Sequence, residues 1–380
     1  MKSLKKKVVL LGFKGDCSGR FYNKVLIQMA LEGKIRLTCV DFGKPKNVLG
    51  IPPQEEMEKL VKKKKVQYLN LENSNDIKKY SNLSDVDVVF IVVHDLNHCK
   101  CARDFLGKAK RIFIDKPLDA SLRNVRLIEN FPKVEKIIFG YDHYLSKFYP
   151  FQIQTNKWLN QETVGKIKKI EFRLLETSTI PLHRIRSLDS GMIYDLFSHG
   201  LASITTITSK WVYPDLKILK NLRILNVETA QYSGCPIKGC TFAKIDFEIP
   251  FNNEHISCHS KVGKGVGKIP EKYLKIIGTK GEILTDIDKF NFSILNSRGK
   301  VIKKGVLDQN YAKTFLSAAI DFKKTIRQIP GAMPLKAAKE VLFVLEEAEC
   351  KKKPDGKYPQ YPIGSSISEI ENIIENKKII

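Results

Sequence analysis

The sequence lacks any apolar run near the roughly 20 residues that cross a bilayer, so we expect no membrane span. It also lacks a secretory signal, because the basic start of the chain runs straight into a glycine turn, and we therefore expect a cytoplasmic protein. Internal repeats and low-complexity linkers are missing as well, which favours ordinary globular domains.

The eight cysteines lack the paired spacing of a structural zinc site. The nearest approaches to such a site are two short clusters: His94, His98, Cys99 and Cys101, and then Cys235 and Cys240. We therefore predict no metal and expect free thiols in a reducing compartment.

Acidic residues are few, at 41 against 65 lysines and arginines, which leaves a net charge of +24. A basic surface attracts anions, including nucleic acid. The excess is mostly lysine scattered along the chain, without a nucleic-acid-binding motif or an aromatic–basic platform. We therefore exclude nucleic acid and expect a small anionic molecule as the partner.

At 380 residues and 43% apolar content, the chain is long enough for two domains. In residues 1–141, apolar strands alternate with helical segments, which indicates an α/β fold with a doubly wound parallel sheet of the Rossmann type. The predicted strands are 7–11, 35–40, 66–71, 86–93, 111–115 and 135–140. The first predicted helix begins after residue 19, and the others cover 54–65, 98–107 and 121–131.

Residues 142–360 show a different pattern, in which strands follow one another without helices between them. This predicts an α+β domain with a large, mostly antiparallel open sheet covered on one face by helices. The predicted strands are 166–176, 222–232, 241–249, 256–261, 273–277, 282–285 and 290–295, and the helices are 191–208, 310–326 and 334–350. Residues 361–380 form a tail with a short helix of unassigned role.

The first strand leads into Gly12, Lys14, Gly15 and Asp16 and then a helix, the arrangement that cradles a dinucleotide phosphate. The spacing is not G-x-G-x-x-G, because Lys14 and Cys17 fill the later glycine positions, so an ordinary strand–helix turn is the alternative.

The second strand ends in Asp41, about where a carboxylate accepts the adenosine ribose hydroxyls. This favours NAD, although Lys44 and Lys46 leave NADP open. The strand 86–93 ends at His94, and we expect the turn after it to lie beside the nicotinamide, with helix capping as the alternative for Asp95 and its neighbours.

Residues 139–147, FGYDHYLSK, follow the last strand of the first domain. We expect one short loop there, at the ligand-binding edge of the sheet, which presents Asp142, His143, Tyr144 and Lys147. This supplies an acid/base group with its orienting partner and two anion donors, although loops are polar in general.

The helix GMIYDLFSHGL places Asp195 and His199 four residues apart and so on one face, and Glu176 ends the preceding strand. The alternative is a core histidine held by a carboxylate. The connecting loop 181–190 adds one histidine and two arginines that could reach an anion.

These motifs together resemble those of glucose-6-phosphate dehydrogenases and the related Gfo/Idh/MocA oxidoreductases. GFKGDCSGR looks like the G-x-x-G-D-L-A-x-R turn, and DHYLSK is similar to D-H-Y-L-G-K with Ser146 in place of Gly. Lys116-Pro117 looks like E-K-P with Asp115 in place of Glu, and the Asp195–His199 spacing is the D-x-x-x-H of the Gfo/Idh/MocA enzymes.

The resemblance implies a role for each matching residue. His199 is the implied general base and Asp142 its orienting partner, while Lys116 binds the reacting hydroxyl beside the nicotinamide and Pro117 fixes that turn. The implied substrate contacts are His143, Tyr144 and Lys147 for a phosphate, Glu176 and Asp195 for sugar hydroxyls, and either Lys261 or Lys264 as a second phosphate lysine. Lys116 often serves as the base in Gfo/Idh/MocA enzymes, so the identity of the base stays open.

The resemblance therefore implies an NAD(P)-dependent dehydrogenase of a sugar phosphate, with a hexose 6-phosphate favoured by DHYLSK. One alternative is a dehydrogenase of a non-phosphorylated, amino or nucleotide-linked sugar. Another is a nucleotide-sensing protein without turnover, which the altered glycine turn and Asp115 motivate. A dimer or tetramer is implied by the resemblance alone.

Overall fold

A computed structural model describes residues 5–15, 17–42, 59–61, 63, 66–160, 163–177, 191–209, 212–235, 239–352 and 358–377, with only the backbone over 154–160. Several predictions lie outside the described residues: Asp16, Lys44, Lys46, the loop 47–53, most of the helix 54–65 and the loop 181–190. The chain divides into two compact units, Met1–Ser146 with Asn310–Lys339, and Lys147–Gln309 with Glu340–Ile380.

The strands follow in chain order as β1 Lys6–Leu11, β2 Ile35–Asp41, β3 Val66–Asn70, β4 Val86–Ile91, β5 Ala109–Asp115, β6 Ile138–Tyr141, β7 Ile167–Glu176, β8 Arg223–Tyr232, β9 Phe242–Phe251, β10 Glu254–Lys264, β11 Glu271–Gly278, β12 Gly281–Asp286, β13 Asn291–Asn296, β14 Val301–Val306, β15 Ala332–Pro334 and β16 Gln360–Tyr361.

The helices are α1 Asn23–Leu31, α2 Ser74–Ser81, α3 His98–Asp104, α4 Leu122–Glu129, α5 His143–Asn160, α6 Ser198–Ile207, α7 Leu216–Lys220, α8 Tyr311–Ile320, α9 Leu335–Lys351 and α10 Ile367–Lys377. Two π-helical turns, Ser18–Tyr22 and Ile193–Phe197, precede α1 and α6, and single 3₁₀ turns lie at Asp95–Asn97, Val134–Lys136 and Ile326–Gln328. None of the described helices is both long and apolar enough to pass through a membrane.

The first unit is built on a seven-stranded sheet in the order β15-β6-β5-β4-β1-β2-β3. Its first six strands in chain order pair in parallel, and β15 adds to β6 in the antiparallel sense. Every residue of β4 is buried, as expected for a strand within a parallel sheet that is covered on both faces. The predicted doubly wound fold is confirmed.

The boundary of this unit differs from the sequence prediction, which assigned all of 142–360 to the second domain. The segment 310–339 packs with the first unit instead. The ring of Phe315 in α8 stacks on Tyr141 with centroids 3.6 Å apart and meets Phe113 edge-on at 5.4 Å. The apolar face of α8 is therefore buried against the first sheet.

The second unit contains a nine-stranded sheet in the order β14-β13-β12-β11-β7-β10-β9-β8-β16. β10 runs parallel to β7 and β16 parallel to β8, and the other neighbouring strands are antiparallel. The predicted α+β architecture is therefore confirmed.

The C-terminal tail belongs to this second unit. Tyr361 is fully buried, and Ile370 and Ile374 of α10 join its apolar cluster together with Leu175 and Phe242. The segment predicted as a tail of unassigned role is thus an integral part of the sheet and its core.

Candidate functional site

The glycine turn after β1 brings the backbone very close to β4. Gly12 has φ +81°, and a Cβ at this position would lie 2.3 Å from the carbonyl oxygen of Val92. A Cβ at Gly15 would lie 3.0 Å from the carbonyl oxygen of Gly12. Only glycine fits at position 12, so the backbone of this turn is not covered by a side chain there. Uncovered backbone at the carboxyl edge of a parallel sheet suits a dinucleotide phosphate.

Asp41 at the end of β2 is tied to this turn. Its Oδ1 accepts a hydrogen bond from the Lys14 backbone N–H at 2.8 Å, and its Oδ2 accepts one from the Tyr68 hydroxyl at 3.0 Å. Asp41 is only 4% exposed, and burial raises the pKa of its carboxyl group. Each carboxylate oxygen accepts more than one hydrogen bond, so capacity for ribose hydroxyls remains.

The Lys14 side chain also stays near this corner, with Nζ 5.0 Å from the centre of the Tyr68 ring. The predicted residues Gly12, Lys14, Gly15 and Asp41 therefore come together, and Tyr68 joins them. The residues of this corner fit the phosphate and ribose end of a dinucleotide.

A second contact joins the start of the first helical turn to the end of β5. The Cys17 thiol donates to Oδ2 of Asp115 at 2.9 Å, and the Lys116 backbone N–H donates to Oδ1 at 2.9 Å. Burial is the main cause that raises the pKa of both the Cys17 thiol and the Asp115 carboxyl group. The Lys116–Pro117 peptide bond is cis. Asp115 thus holds the Lys116 turn against the helix that follows the glycine turn.

His98 supports the same turn from α3. It is 2% exposed, with Nδ1 2.8 Å from the carbonyl oxygen of Pro117 and Nε2 3.0 Å from that of Val93. Both contacts are hydrogen bonds only when both ring nitrogens carry protons. His94, by contrast, is the N-cap of the 3₁₀ turn Asp95–Asn97 that follows β4, with Nδ1 2.8 Å from Oδ1 of Asp95.

The DHYLSK segment is not a short loop, and that prediction is wrong. It forms the first turn of the 18-residue helix α5. Oδ1 of Asp142 accepts from the backbone N–H groups of Tyr144 at 2.7 Å and Leu145 at 3.3 Å, which is helix N-capping. A helix starting with Asp142 as its cap buries this carboxylate to 1% exposure.

The other DHYLSK side chains include two neighbouring rings, His143 and Tyr144, whose centroids lie 4.8 Å apart. The His143 ring stacks on Phe21 with centroids 4.6 Å apart, and His143 and Tyr144 are both 8% exposed. The Lys147 ammonium, which belongs to the second unit, lies 5.1 Å from the centre of the Phe290 ring. The grouping of these three side chains around a phosphate therefore remains a prediction.

The second unit contains a buried cluster of two carboxylates and one ammonium. Nζ of Lys264 donates to Oδ2 of Asp195 at 2.6 Å and lies 4.0 Å from Oε2 of Glu176. Lys264 is 4% exposed, whereas Lys261 points to α10 and pairs with Glu371 at 2.8 Å. The structure thus distinguishes the two lysines that the sequence left open.

His199 lies in the first turn of α6, directly after the π-helical turn that contains Asp195, and it is 2% exposed. The π-helical turn replaces the regular helix that the sequence predicted over these residues. Asp142 belongs to the first unit and His199 to the second, so their predicted partnership remains a proposal.

The sequence did not assign Tyr68, Cys17 or Tyr361 to these sites, and it named Lys264 only as an alternative to Lys261. A signal existed for Cys17, which fills a glycine position of the turn, and for Lys264, which lies beside the glycines of HSKVGKG. Tyr68 and Tyr361 act through strand register, and a single sequence carries no direct signal for that.

The chain contains one unit built on a Rossmann-type parallel sheet and one unit built on an open, mostly antiparallel sheet. Comparison with solved structures agrees. Glucose-6-phosphate 1-dehydrogenase from Mycobacterium avium shares the fold with a TM-score of 0.66 and 13% identity, over 98% of this chain and 97% of that one. A glucose-6-phosphate dehydrogenase in complex with glucose-6-phosphate gives a TM-score of 0.68 at 14% identity, over 98% and 97% of the two chains.

The 3-ketoreductase KijD10 from Actinomadura kijaniata, in complex with NADP and TDP-benzene, gives a TM-score of 0.66 at 11% identity, over 94% of this chain and all of that one. No protein-family model matches the sequence, and no curated protein matches it. The predicted resemblance is therefore confirmed at the level of the fold.

Proposed function

We propose that this protein is an NAD(P)-dependent dehydrogenase that acts on a hydroxyl carbon of a sugar, with a hexose 6-phosphate as the favoured substrate. The observation that carries the proposal is the hydrogen bond from the Lys14 backbone N–H to Asp41 at 2.8 Å, which joins the phosphate turn to the ribose carboxylate. A strand–helix turn without a nucleotide has no need of a buried carboxylate beside it, because burying a charge is costly.

The bound nicotinamide would supply the hydride acceptor. The chain would supply the proton acceptor and the hydroxyl contacts. His199, as the proposed base, would take the hydroxyl proton, with Asp142 as its proposed orienting group. Lys116 would bind the reacting hydroxyl, and it is the alternative base.

The Glu176, Asp195 and Lys264 cluster suits sugar hydroxyls better than a phosphate. Two carboxylates against one ammonium leave a net negative charge, and carboxylates accept hydrogen bonds from hydroxyl groups. We therefore assign Lys264 to this hydroxyl-binding cluster and leave the phosphate to the DHYLSK segment, chiefly to Lys147.

A second candidate function is the oxidation of a non-phosphorylated or nucleotide-linked sugar. It is favoured by the burial of His143 and Tyr144, each 8% exposed, and by the stacking of His143 on Phe21. His143 and Tyr144, two of the three proposed phosphate donors, are engaged in packing. Lys147 would then bind the phosphate without their help.

The test is reduced-nicotinamide absorbance with NAD or NADP, with glucose 6-phosphate offered beside glucose and a panel of amino and nucleotide-linked sugars. We expect turnover that His199→Asn lowers by at least about 100-fold, because a general base contributes roughly 10²–10⁴-fold. Lys147→Ala should lower kcat/KM about 10- to 100-fold for a phosphorylated substrate only, since a hydrogen bond to a charged group contributes about 1.5–3 kcal/mol.

The matched control is Lys304→Ala, which removes an exposed lysine from β14. Equal effects of Lys147→Ala on phosphorylated and plain sugars would favour the second candidate. Cofactor binding without turnover on any sugar would reject the dehydrogenase and favour the nucleotide-sensing alternative.

A further inference from the structure

The backbone at the end of β10 is fixed by segments distant in sequence. The Lys264 N–H donates to the carbonyl oxygen of Thr241 at 2.9 Å, and the Val266 N–H donates to that of Glu176 at 3.0 Å. Strand ends are usually less constrained than strand centres, yet here the residue that carries the buried ammonium is held on both sides. The position of Nζ therefore depends on this local backbone.

The C-terminal segment provides a third support. The Tyr361 hydroxyl donates to the carbonyl oxygen of Lys264 at 3.3 Å and lies 2.9 Å from Oγ1 of Thr241. Oγ1 of Thr241 also accepts from the Tyr232 N–H at 2.9 Å. Each hydroxyl has one proton, and the Tyr361 proton goes to the Lys264 carbonyl. The Thr241 hydroxyl therefore donates to the Tyr361 oxygen, and the Tyr232 N–H donates to Thr241.

The same segment is anchored on either side of Tyr361. The Ser233 N–H donates to the Tyr361 carbonyl oxygen at 2.8 Å, which aligns β16 with β8. Beyond it, the Gly364 N–H donates to Gly265 at 2.8 Å and the Gly267 N–H donates to Ser365 at 2.8 Å. Two backbone hydrogen bonds therefore join the turn after Lys264 to this segment.

The helix α10 then closes over this contact. Ile370 and Ile374 are buried in the cluster that contains Tyr361, and Glu371 pairs with Lys261 on the neighbouring part of β10. This excludes water from the Tyr361 hydroxyl, which is 0% exposed at the residue level. A hydrogen bond shielded from water holds its partner more firmly than an exposed one.

We propose that the segment 358–377 is a positioning element for the Glu176, Asp195 and Lys264 cluster, and that Tyr361 is its positioning residue. The inference rests on the proposed function, in which this cluster binds the sugar hydroxyls. Loss of the Tyr361 hydroxyl frees the Lys264 carbonyl and shifts the ammonium relative to Asp195. Hydroxyl recognition then weakens, while the nucleotide contacts of the first unit are unchanged.

The test compares Tyr361→Phe with Tyr358→Phe in the full-length protein. Tyr358 lies in the same segment, and its hydroxyl accepts from Lys352 at 2.8 Å, so its loss removes a comparable hydrogen bond elsewhere. With the sugar that the wild type oxidises, Tyr361→Phe should raise KM about five- to ten-fold, the effect of one hydrogen bond, with kcat within about two-fold. The Kd for the reduced cofactor should be the same in both variants.

Thr241→Val should repeat the rise in KM, and Thr241→Ser, which keeps the hydroxyl, should restore the wild-type value. An unchanged KM in Tyr361→Phe, or an equal rise in Tyr358→Phe, overturns the proposal while leaving the proposed function intact.

Absence of turnover in the wild type would be a failure of the proposed function instead. Amide hydrogen exchange then decides the positioning step. Faster exchange at the Lys264 and Val266 amides in Tyr361→Phe, with no change in Tyr358→Phe, supports the positioning, and unchanged exchange overturns it.

Discussion

Two residues that depart from the resembled sequence pattern contact each other. Cys17 takes the place of Leu in the G-x-x-G-D-L-A-x-R turn, and Asp115 takes the place of Glu in E-K-P. The Cys17 thiol donates to the Asp115 carboxylate at 2.9 Å. Asp115, which is one methylene shorter than Glu, thus receives a hydrogen bond from Cys17, which Leu could not supply. The two substitutions are coupled and do not by themselves argue for loss of function.

We predict that Cys17→Ala lowers the free energy of unfolding by about 1–3 kcal/mol, the cost of leaving a buried acceptor without its donor. The loss should grow with pH. Burial raises the pKa of Asp115 in the folded state, and the thiol donor opposes that rise, so the mutation matters most once the carboxyl group is ionised.

The measurement is urea unfolding at pH 5.5 and pH 8, with Cys17→Ser as the control that keeps a hydroxyl donor. Cys17→Ser should stay near the wild type. A loss that is equal at the two pH values, or larger at pH 5.5, would show that the thiol does not support the ionised carboxylate.

The sequence correctly predicted those site residues whose spacing from a nearby motif identifies them. Asp41 ends its strand at the expected distance from the glycines, and its carboxylate accepts a hydrogen bond from the Lys14 N–H. Tyr68 was not predicted because its contact with Asp41 joins two different strands. The register of β2 and β3 pairs Tyr68 with Cys39, and the Tyr68 hydroxyl reaches Asp41 two residues further along β2.

At the scale of elements, the helix α5 shows how a helix start can be mistaken for a loop. The polar run DHYLSK and the proline at 150 both argue against a helix, since proline removes one backbone hydrogen bond. The capping of α5 by Asp142 and the burial of Phe148 and Phe151 outweigh that cost. The tertiary packing of these side chains stabilises the helix, and the local sequence pattern does not contain that information.

The glycine turn gives a prediction that separates steric exclusion from backbone strain. Gly12 and Gly299 both have positive φ, +81° and +72°, but a Cβ at Gly299 meets no described atom within 4 Å. We expect Gly299→Ala to cost about 1–2 kcal/mol, the strain of a left-handed residue. Gly12→Ala should cost more than about 3 kcal/mol, because the added methyl group collides with the Val92 carbonyl.

Thermal or urea unfolding of the two variants measures the difference, and Gly12→Ala should also weaken cofactor binding. Similar costs at the two glycines would mean that the backbone after β1 moves aside easily, and the tight approach of β1 to β4 would then not be required.

At the scale of the whole molecule, the sequence predicted two domains and the fold class of each. It did not predict that the segment 310–339 returns to the first unit. The amphipathic pattern of residues 310–326 marks a helix without stating which sheet it covers. Phe315 settles this by packing among Tyr22, Phe90, Phe113 and Tyr141. Contacts between residues more than about 170 positions apart cannot be predicted from local periodicity.

We predict that Phe315→Ala destabilises the first unit by about 3–5 kcal/mol, the usual cost of emptying a buried phenylalanine site. Phe343→Ala is the control, since Phe343 is 51% exposed. Limited proteolysis in urea should show earlier cleavage within residues 1–146 for Phe315→Ala alone. Cleavage that moves equally in both units, or in neither, would contradict the assignment of 310–339 to the first unit.

The hydrogen bond between Tyr361 and Lys264 also sets an order of events on the ribosome. The two residues are 97 positions apart, so Tyr361 is made only after β11 to β15 have been synthesised. At about 5–20 residues per second, the end of β10 waits roughly 5–20 s for this hydrogen bond. A chain that stops before Tyr361 already contains β1 to β15, and the Lys264 carbonyl still lacks its bond from the Tyr361 hydroxyl.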